Sequence, residues 1–183
     1  MKLSLMLEKE IKTERLIIKS PQMDDAVDLT RLINDKSVVK WLSDIPFPYT
    51  VRHAEEFIER SQEKALKNES YNFMIFQNNE MLGGIGLTEF MNQSCELGYW
   101  LGKKYWRNGF ATEAVTGMLD FGFIQLNLKE IFASYKIGNE GSKRVLTKCG
   151  FQFNREKQEF DSVLLQEETL IEMIKINAAE DQP

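Results

Sequence analysis

Residues 105–114 read YWRNGFATEA: two bulky rings, a cation, an asparagine, a glycine, and then residues that favour a helix. Ahead of them SCELGYWLG (94–102) is the short, apolar, aromatic-rich run of a strand. Behind them Ala111, Ala114, Val115, Met118, Leu119 and Gly122 recur at helical spacing. The segment therefore reads as a strand, a stop, a glycine turn and the start of a helix. Such a start offers unpartnered N–H donors and a partial positive end, a natural seat for an anion. Gly109 would let the backbone come close to that anion, Ala111 would keep the entrance narrow, and Arg107 would add a formal charge. A surface turn that uses glycine only for its conformation fits the same spacing.

Working outward, YNFMIFQ (71–77), EMLGGIGLTEF (80–90) and SCELGYWLG are broken by NN and MNQ, the pattern of an antiparallel meander of three strands. Gly83, Gly84 and Gly86 lack the helix that a dinucleotide fingerprint needs after it, so they mark a bulge or a close backbone approach. EIFASYK (130–136) is a further strand. NEGSKRVLTKCGF (139–151) is a short helix with Gly150 where a left-handed cap belongs. FQFNREKQEF (151–160) and VLLQEETLIEMIKI (163–176) alternate as two more strands, and NAAEDQP (177–183) reads as a tail.

The N-terminal half opens with a strand in ERLIIKS (14–20). A helix follows in SPQMDDAVDLTRLIND (20–35), with Met23, Ala26, Val27, Thr30 and Ile33 on its apolar stripe and Ser20 and Pro21 as start signals. WLSDIPFPYT (41–50) is a loop. Thr50 caps a second amphipathic helix that turns Ala54, Phe57, Ile58, Ser61 and Ala65 inward. With no repeat, linker or composition break, residues 1–183 read as a single domain.

The composition, 43% hydrophobic and 28% charged over 183 residues, is that of a globular protein. No apolar run approaches the roughly eighteen residues of a membrane span. The N-terminal MKLSLMLEKEIKTERL carries charge too early for a secretory signal, so a cytoplasmic chain is expected. A net charge of −5 argues against nucleic acid as partner and accommodates a cationic or amine-bearing one. Cys95 and Cys149 are too few for a disulfide framework and read as reduced thiols; no metal cluster is expected.

ELGYWLGKKYWRNGFATEA followed by NEGSKRVLTKCGF resembles the GCN5-related N-acetyltransferases (GNAT), specifically their RimJ/RimL-like branch of ribosomal-protein N-terminal acetyltransferases. TERLIIKS, YTVRHAEEFI and GGIGL fall in the order that family expects. The resemblance implies an α/β GNAT fold: a mixed, mostly antiparallel sheet with a splayed strand pair and flanking helices. It also implies an acetyl-CoA site. Tyr99, Trp100 and Leu101 would pair through their backbone with the pantetheine arm, as an added strand does. The pyrophosphate would rest on the amides of Arg107, Asn108, Gly109, Ala111 and Thr112. Trp106 stands where the superfamily usually has Gln or Arg. Leu146 stands where many relatives carry a catalytic tyrosine, and in this branch Ser142 of Asn-x-x-Ser is the substitute proton donor. Asn139 would bond the pantetheine arm, although by residue type Asn139 or Ser142 equally suits a helix cap.

Acetyl transfer needs a neutral amine beside the thioester, a donor for the developing oxyanion and a proton for the leaving thiolate. An α-amine is easier to deprotonate than lysine by about 2.5 pH units, or roughly 3.5 kcal/mol. Glu96 is the candidate base, acting through water, with Glu89 its rival; either is also an ordinary strand carboxylate. His53, the sole histidine, starts an exposed helix far from both motifs. Trp41, Phe47 and Tyr49 are candidates for an acceptor wall or for core. A protein or peptide N-terminal α-amine is the favoured acceptor. A small amine (aminoglycoside, polyamine or amino acid derivative) and a non-catalytic acyl-CoA-binding role are the alternatives. Exposed terminal strands leave both a monomer and a homodimer open.

Overall fold

The structure, a computed structural model, describes residues 10–177. Most of the N-terminal stretch read as a chain start and the tail beyond Asn177 lie outside the described residues.

Eight strands form one sheet in the spatial order β1-β2-β3-β4-β5-β6-β8-β7. They are β1 (Glu10–Lys12), β2 (Ile17–Lys19), β3 (Tyr71–Gln77), β4 (Glu80–Met91), β5 (Ser94–Leu101), β6 (Glu130–Lys136), β7 (Gln152–Asp161) and β8 (Gln166–Ile176). Every neighbouring pair is antiparallel except β5 and β6, which run parallel. The helices are α1 (Ala26–Ile33), the single turn α2 (Lys36–Val39), α3 (Val51–Leu66), α4 (Phe110–Asp120) and α5 (Glu140–Lys148). The expected α/β class, mixed sheet and flanking helices are all present.

The meander forms because Phe73, Met74, Ile75, Leu82, Ile85 and Leu87 have no exposed alternative that keeps them out of water; each is at most 4% exposed. The three glycines of β4 allow a close approach, as a Cβ at Gly83 would strike the backbone of Trp100 and one at Gly84 the Trp100 indole. A bulge also interrupts the β3–β4 register beside Gly83. Side chains of Leu87 and Ile131 pack under Gly122 beyond α4, whereas Leu29, Ile33 and Phe57 lie over Gly84, Gly86 and Gly98. Thus α1 and α3 cover one face, α4 and α5 the other.

Three expectations are corrected. Strand β1 was not foreseen: Glu10–Lys12 folds back on Ile17–Lys19 through a turn closed by Thr13 N–H on Leu16 C=O at 3.0 Å. In α1 the buried stripe is Ala26, Leu29, Leu32 and Ile33, while Met23 and Val27 are 43% and 65% exposed. A 3₁₀ turn over Met23–Asp25, with Gln22 N–H bonded to the Asp25 carboxylate, sets the phase one turn later than Ser20 and Pro21 suggested. Helix α4 starts at Phe110 and continues as a π turn over Phe121–Gln125. The other helix ends obey their signals. Thr50 accepts from His53 N–H while His53 Nδ1 accepts from Thr50 N–H, a reciprocal cap. After α5, Gly150 takes φ +81°, its N–H meets Thr147 C=O, and Phe151 N–H reaches Leu146 C=O at 3.0 Å.

Candidate active site

Strands β5 and β6 pair only where Ser94–Glu96 faces Glu130–Phe132. From Leu97 onward β5 stays with β4, and β6 stays with β8 as far as Lys136. The strands splay, leaving one edge of Leu97–Leu101 without a strand neighbour. A cavity of about 480 Å³ occupies the gap. It brings together Tyr99, Trp100, Leu101, Arg107, Gly109, Ala111, Thr112, Asn139 and Ser142 of the residues the sequence singled out.

At one end of this cavity the chain turns sharply into α4. Arg107 has φ +64°, and Gly109, φ +81°, is the residue before the helix. The first α-helical bond runs from Glu113 N–H to Gly109 C=O, so the amides of Phe110, Ala111 and Thr112 have no carbonyl one turn back. Two left-handed residues followed by open amides make a concave surface of N–H donors. Asn108, predicted to give its amide here, does not line the cavity; its carbonyl accepts from Arg15 Nη1 at 3.1 Å. Trp106 donates its indole N–H to Leu101 C=O at 2.8 Å, stitching the turn to the end of β5.

The turn is held by residues that lie in the quoted stretches but to which the sequence assigned no role. Arg15 lies over the Phe110 ring and bonds Glu113 through Nε at 2.7 Å. The Glu113 carboxylate also accepts from Arg15 N–H and from the Thr13 hydroxyl. Burial alone would raise its pKa, but the bonds from Thr13 and Arg15 outweigh burial and hold it below the usual carboxylate range. Arg144 and Lys148 of α5 also line the cavity, where with Arg107 they face a single acid among the described residues, Glu140. The (i, i+4) spacing of Arg144 and Lys148 on the helix that carries Ser142 was the available signal.

At the start of α5, Asn139 Oδ1 accepts from Ser142 N–H at 3.1 Å, so Asn139 is the cap. Its Nδ2 has no hydrogen-bond partner among the described residues and remains able to donate. The Ser142 hydroxyl lies 2.8 Å from the Tyr99 hydroxyl, which also donates to Ser142 C=O at 3.3 Å. Burial raises the Tyr99 pKa far above that of an ordinary phenol, more than the bond to Ser142 lowers it. From the sequence Tyr99 carried only a backbone role; the structure adds its hydroxyl. Leu146 is fully buried and packs in the core.

Glu96 lines neither this cavity nor the next. Its carboxylate sits 3.3 Å from Lys157 Nζ, which is also 3.4 Å from Glu159 and 3.9 Å from Glu172. Register places Glu96 opposite Thr88 and one step along the same face from Gly98. Glu89 is exposed at the irregular end of β4 with φ +54°. His53 is spent on the α3 cap.

On the other face of the sheet a second cavity of about 350 Å³ lies under α1, α3 and the 41–50 loop. Leu42, Gly98, Tyr99 and Trp100 line both cavities, so the two spaces meet at the point where β5 leaves β6. Of the loop aromatics, Tyr49 lines the second cavity and Trp41 the first, whereas Phe47 is 46% exposed beside Lys36. Asp44 accepts from the backbone N–H and hydroxyl of Ser162 and so ties the loop to the β7–β8 turn. The buried Lys136 makes a second tie, donating to Leu42 C=O at 2.9 Å while paired with Asp161 and Glu168. Among the described residues no helix is long and apolar enough to cross a membrane.

The family described as acetyltransferase (GNAT) domain matches residues 15–152. An uncharacterized N-acetyltransferase, p20, of Bacillus licheniformis is 33% identical over 76% of this chain and 80% of its own. A putative ribosomal-protein-serine acetyltransferase from Vibrio cholerae superposes with a TM-score of 0.82 at 24% identity, over 93% of this chain and 99% of that one. Mycobacterium smegmatis RimJ in complex with CoA-disulfide superposes with a TM-score of 0.86 at 18% identity, over 97% and 91% of the two chains.

Proposed function

The chain belongs to the acetyltransferase (GNAT) domain family, and from that premise we propose that it moves the acetyl group of acetyl-CoA to a primary amine, by preference the N-terminal α-amine of a protein or peptide. The observation that carries this reading is the junction of the two cavities at Gly98, Tyr99 and Trp100. A donor in the first and an acceptor in the second would meet there.

The residues of the first cavity suit acetyl-CoA. The amides of Arg107, Gly109, Ala111 and Thr112 offer donors for the pyrophosphate, and Arg107, Arg144 and Lys148 supply cations for its remaining charge. The open edge around Tyr99, Trp100 and Leu101 offers backbone groups to the pantetheine amides. Asn139 Nδ2 is available to the same arm.

Transfer then consists of attack by the amine nitrogen on the thioester carbon, forming C–N and breaking C–S. The amine proton leaves through water toward Glu96, which lies outside both cavities, one step along the β5 face from Gly98, and is paired with Lys157. The leaving sulfur takes its proton from the Ser142 hydroxyl. Tyr99 stays protonated across the working pH range, and its hydroxyl holds the Ser142 hydroxyl at 2.8 Å beside the gap. Tyr99 is on this account a positioning residue for the acid.

An α-amine acceptor agrees with the modest base, since it needs less help to lose its proton than lysine does. Structural likeness to ribosomal-protein acetyltransferases supports a protein acceptor. The test is acetyl-CoA-dependent thiol release on a peptide with a free α-amine, on its α-acetylated twin retaining lysine, and on a panel of small amines. Release confined to the free α-amine supports the proposal. Release with small amines alone overturns the acceptor, and silence with acetyl-CoA still bound overturns catalysis.

A further inference from the structure

The second cavity has a chemical character of its own. Among the described residues its lining contains no Asp, Glu, Lys, Arg or His. Aliphatic and aromatic groups from α1, α3 and the 41–50 loop form its roof, among them Ile33, Ile45, Tyr49 and Phe57. The polar groups that reach it are neutral: Ser43, Asn72 and Thr88. An ammonium or carboxylate brought here would lose its water and find no opposite charge, a large penalty, whereas an apolar group would gain from leaving water.

The cavity is also fixed in shape. Tyr49 is 7% exposed and is held by Asn34, whose side chain accepts from Tyr49 N–H at 2.8 Å and donates back to Tyr49 C=O. The Tyr49 hydroxyl donates to His53 C=O at 3.1 Å, which anchors the roof to α3. On the floor, side chains at Gly84 and Gly86 would collide with Trp100 and Asn72. At Gly98 a Cβ would meet nothing within 4 Å. That missing side chain leaves an opening at the junction of the two cavities.

We propose that the second cavity selects acceptors whose reactive amine is attached to an uncharged, apolar group of at most the size of a branched or aromatic side chain, and that Gly98 sets that size limit. This rests on the acyl-transfer reading above. For a peptide acceptor the apolar group is the first side chain, with Thr88 and Ser43, and the Asn72 carbonyl whose amide donates to Ser61, placed to meet the peptide bond that follows. Polyamines and aminoglycosides are excluded, because their further ammonium groups would enter a lining with no carboxylate among the described residues; Glu96 lies outside it, paired with Lys157.

The experiment measures kcat/KM at saturating acetyl-CoA for one peptide sequence beginning with Leu, Phe, Ala, Asp or Lys. It includes 2-phenylethylamine, isoamylamine, spermidine and kanamycin. Leu-first or Phe-first peptide should exceed Ala-first by about tenfold or more and the charged residues by a wider margin, in line with what a few methylenes are worth in a fitted pocket. Gly98→Val should lower the Leu-to-Ala ratio about tenfold, and Phe57→Ala, which widens the roof, should shift preference from Leu toward Phe. Equal use of all first residues, a preference for Asp or Lys, or ratios unchanged in both variants would overturn the proposal.

Failure of the α-amine reading looks different. If no peptide reacts but phenylethylamine and isoamylamine do, while spermidine and kanamycin do not, the selectivity proposal stands on other acceptors. Spermidine or kanamycin used as well as the apolar amines overturns it. If nothing turns over, quenching of tryptophan fluorescence by the same panel decides: tighter binding of the apolar members supports it, and equal binding overturns it.

Discussion

The Tyr99 hydroxyl lies 2.8 Å from the Ser142 hydroxyl, joining the splayed part of β5 to the first turn of α5. Serine has two lone pairs and one proton, so a phenol hydrogen-bonded to it restricts the directions open to that proton. Ser142→Ala should lower kcat by about 10²-fold or more, the range for loss of a general acid, with a smaller effect on acetyl-CoA affinity. Tyr99→Phe should lower kcat less, and the double variant should match Ser142→Ala, because both act on one proton. Additive losses in this cycle would separate the two residues. Because burial raises the Tyr99 pKa, the phenol contributes stability that is fully present below its ordinary titration near pH 10 and is lost as pH rises beyond it. Tyr99→Phe should therefore flatten the alkaline fall of stability, measured by urea unfolding between about pH 9 and 11.

Arg15 and Glu113 are 98 residues apart and clamp the turn that precedes α4. Arg15→Ala should raise the KM for acetyl-CoA several-fold with little change in kcat, and lower stability by about 1 kcal/mol. Arg15→Lys should recover only part of the KM, since an ammonium cannot bond Glu113 and Asn108 C=O with the same fork. The hydrogen bonds depress the Glu113 pKa, so its contribution is present above the unfolded value near 4.3 and disappears as pH falls through the folded value. Unfolding curves for Glu113→Gln should show a flatter acid limb.

Lys136 is 8% exposed between Asp161, Glu168 and the Leu42 carbonyl. Lys136→Met should destabilise the protein by about 3–5 kcal/mol, because it leaves two carboxylates facing each other without their cation. Denaturant midpoints measure this, and a loss below about 1 kcal/mol would mean that the pair is solvated.

Neither cysteine should react as a free surface thiol. Burial pushes the Cys95 thiol up to about 12, and the Cys149 thiol is raised by burial more than its contact with Thr116 lowers it. Thiol titration at pH 8 should be slow for both, slower for Cys95, and should reach two per chain on unfolding.

Much of the fold is legible in the sequence because period and turn chemistry agree with the tertiary structure. The meander, α3 with its Thr50 cap, β6 and the Gly150 terminus all follow from spacing and residue type. The turn into α4 is legible too, since a glycine between the end of a strand and FATEA supplies both the left-handed residue and the open helix start. What stays hidden depends on distance in the chain. Nothing in TER announces that Arg15 will reach Asn108, and nothing in the alternation of NREKQ announces that Lys157 will hold Glu96. The phase of α1 is hidden because a 3₁₀ turn shifts Met23 and Val27 outward without changing the spacing. Tyr99 is only half visible: a strand residue has both a backbone edge and a side-chain face, and the motif speaks for the first alone.

The width of the sheet and the brevity of its central seam have a mechanical consequence. Eight strands are joined across the middle by three residue pairs, Ser94–Glu96 against Glu130–Phe132. The half that ends in β5 and the half that begins with β6 therefore resemble two plates sharing a short hinge. A molecule lying along the open edge acts as a removable rib between them. Filled, the two plates should breathe together; empty, they should breathe apart, with deuterium entering Leu97–Leu101 first and the seam below it last.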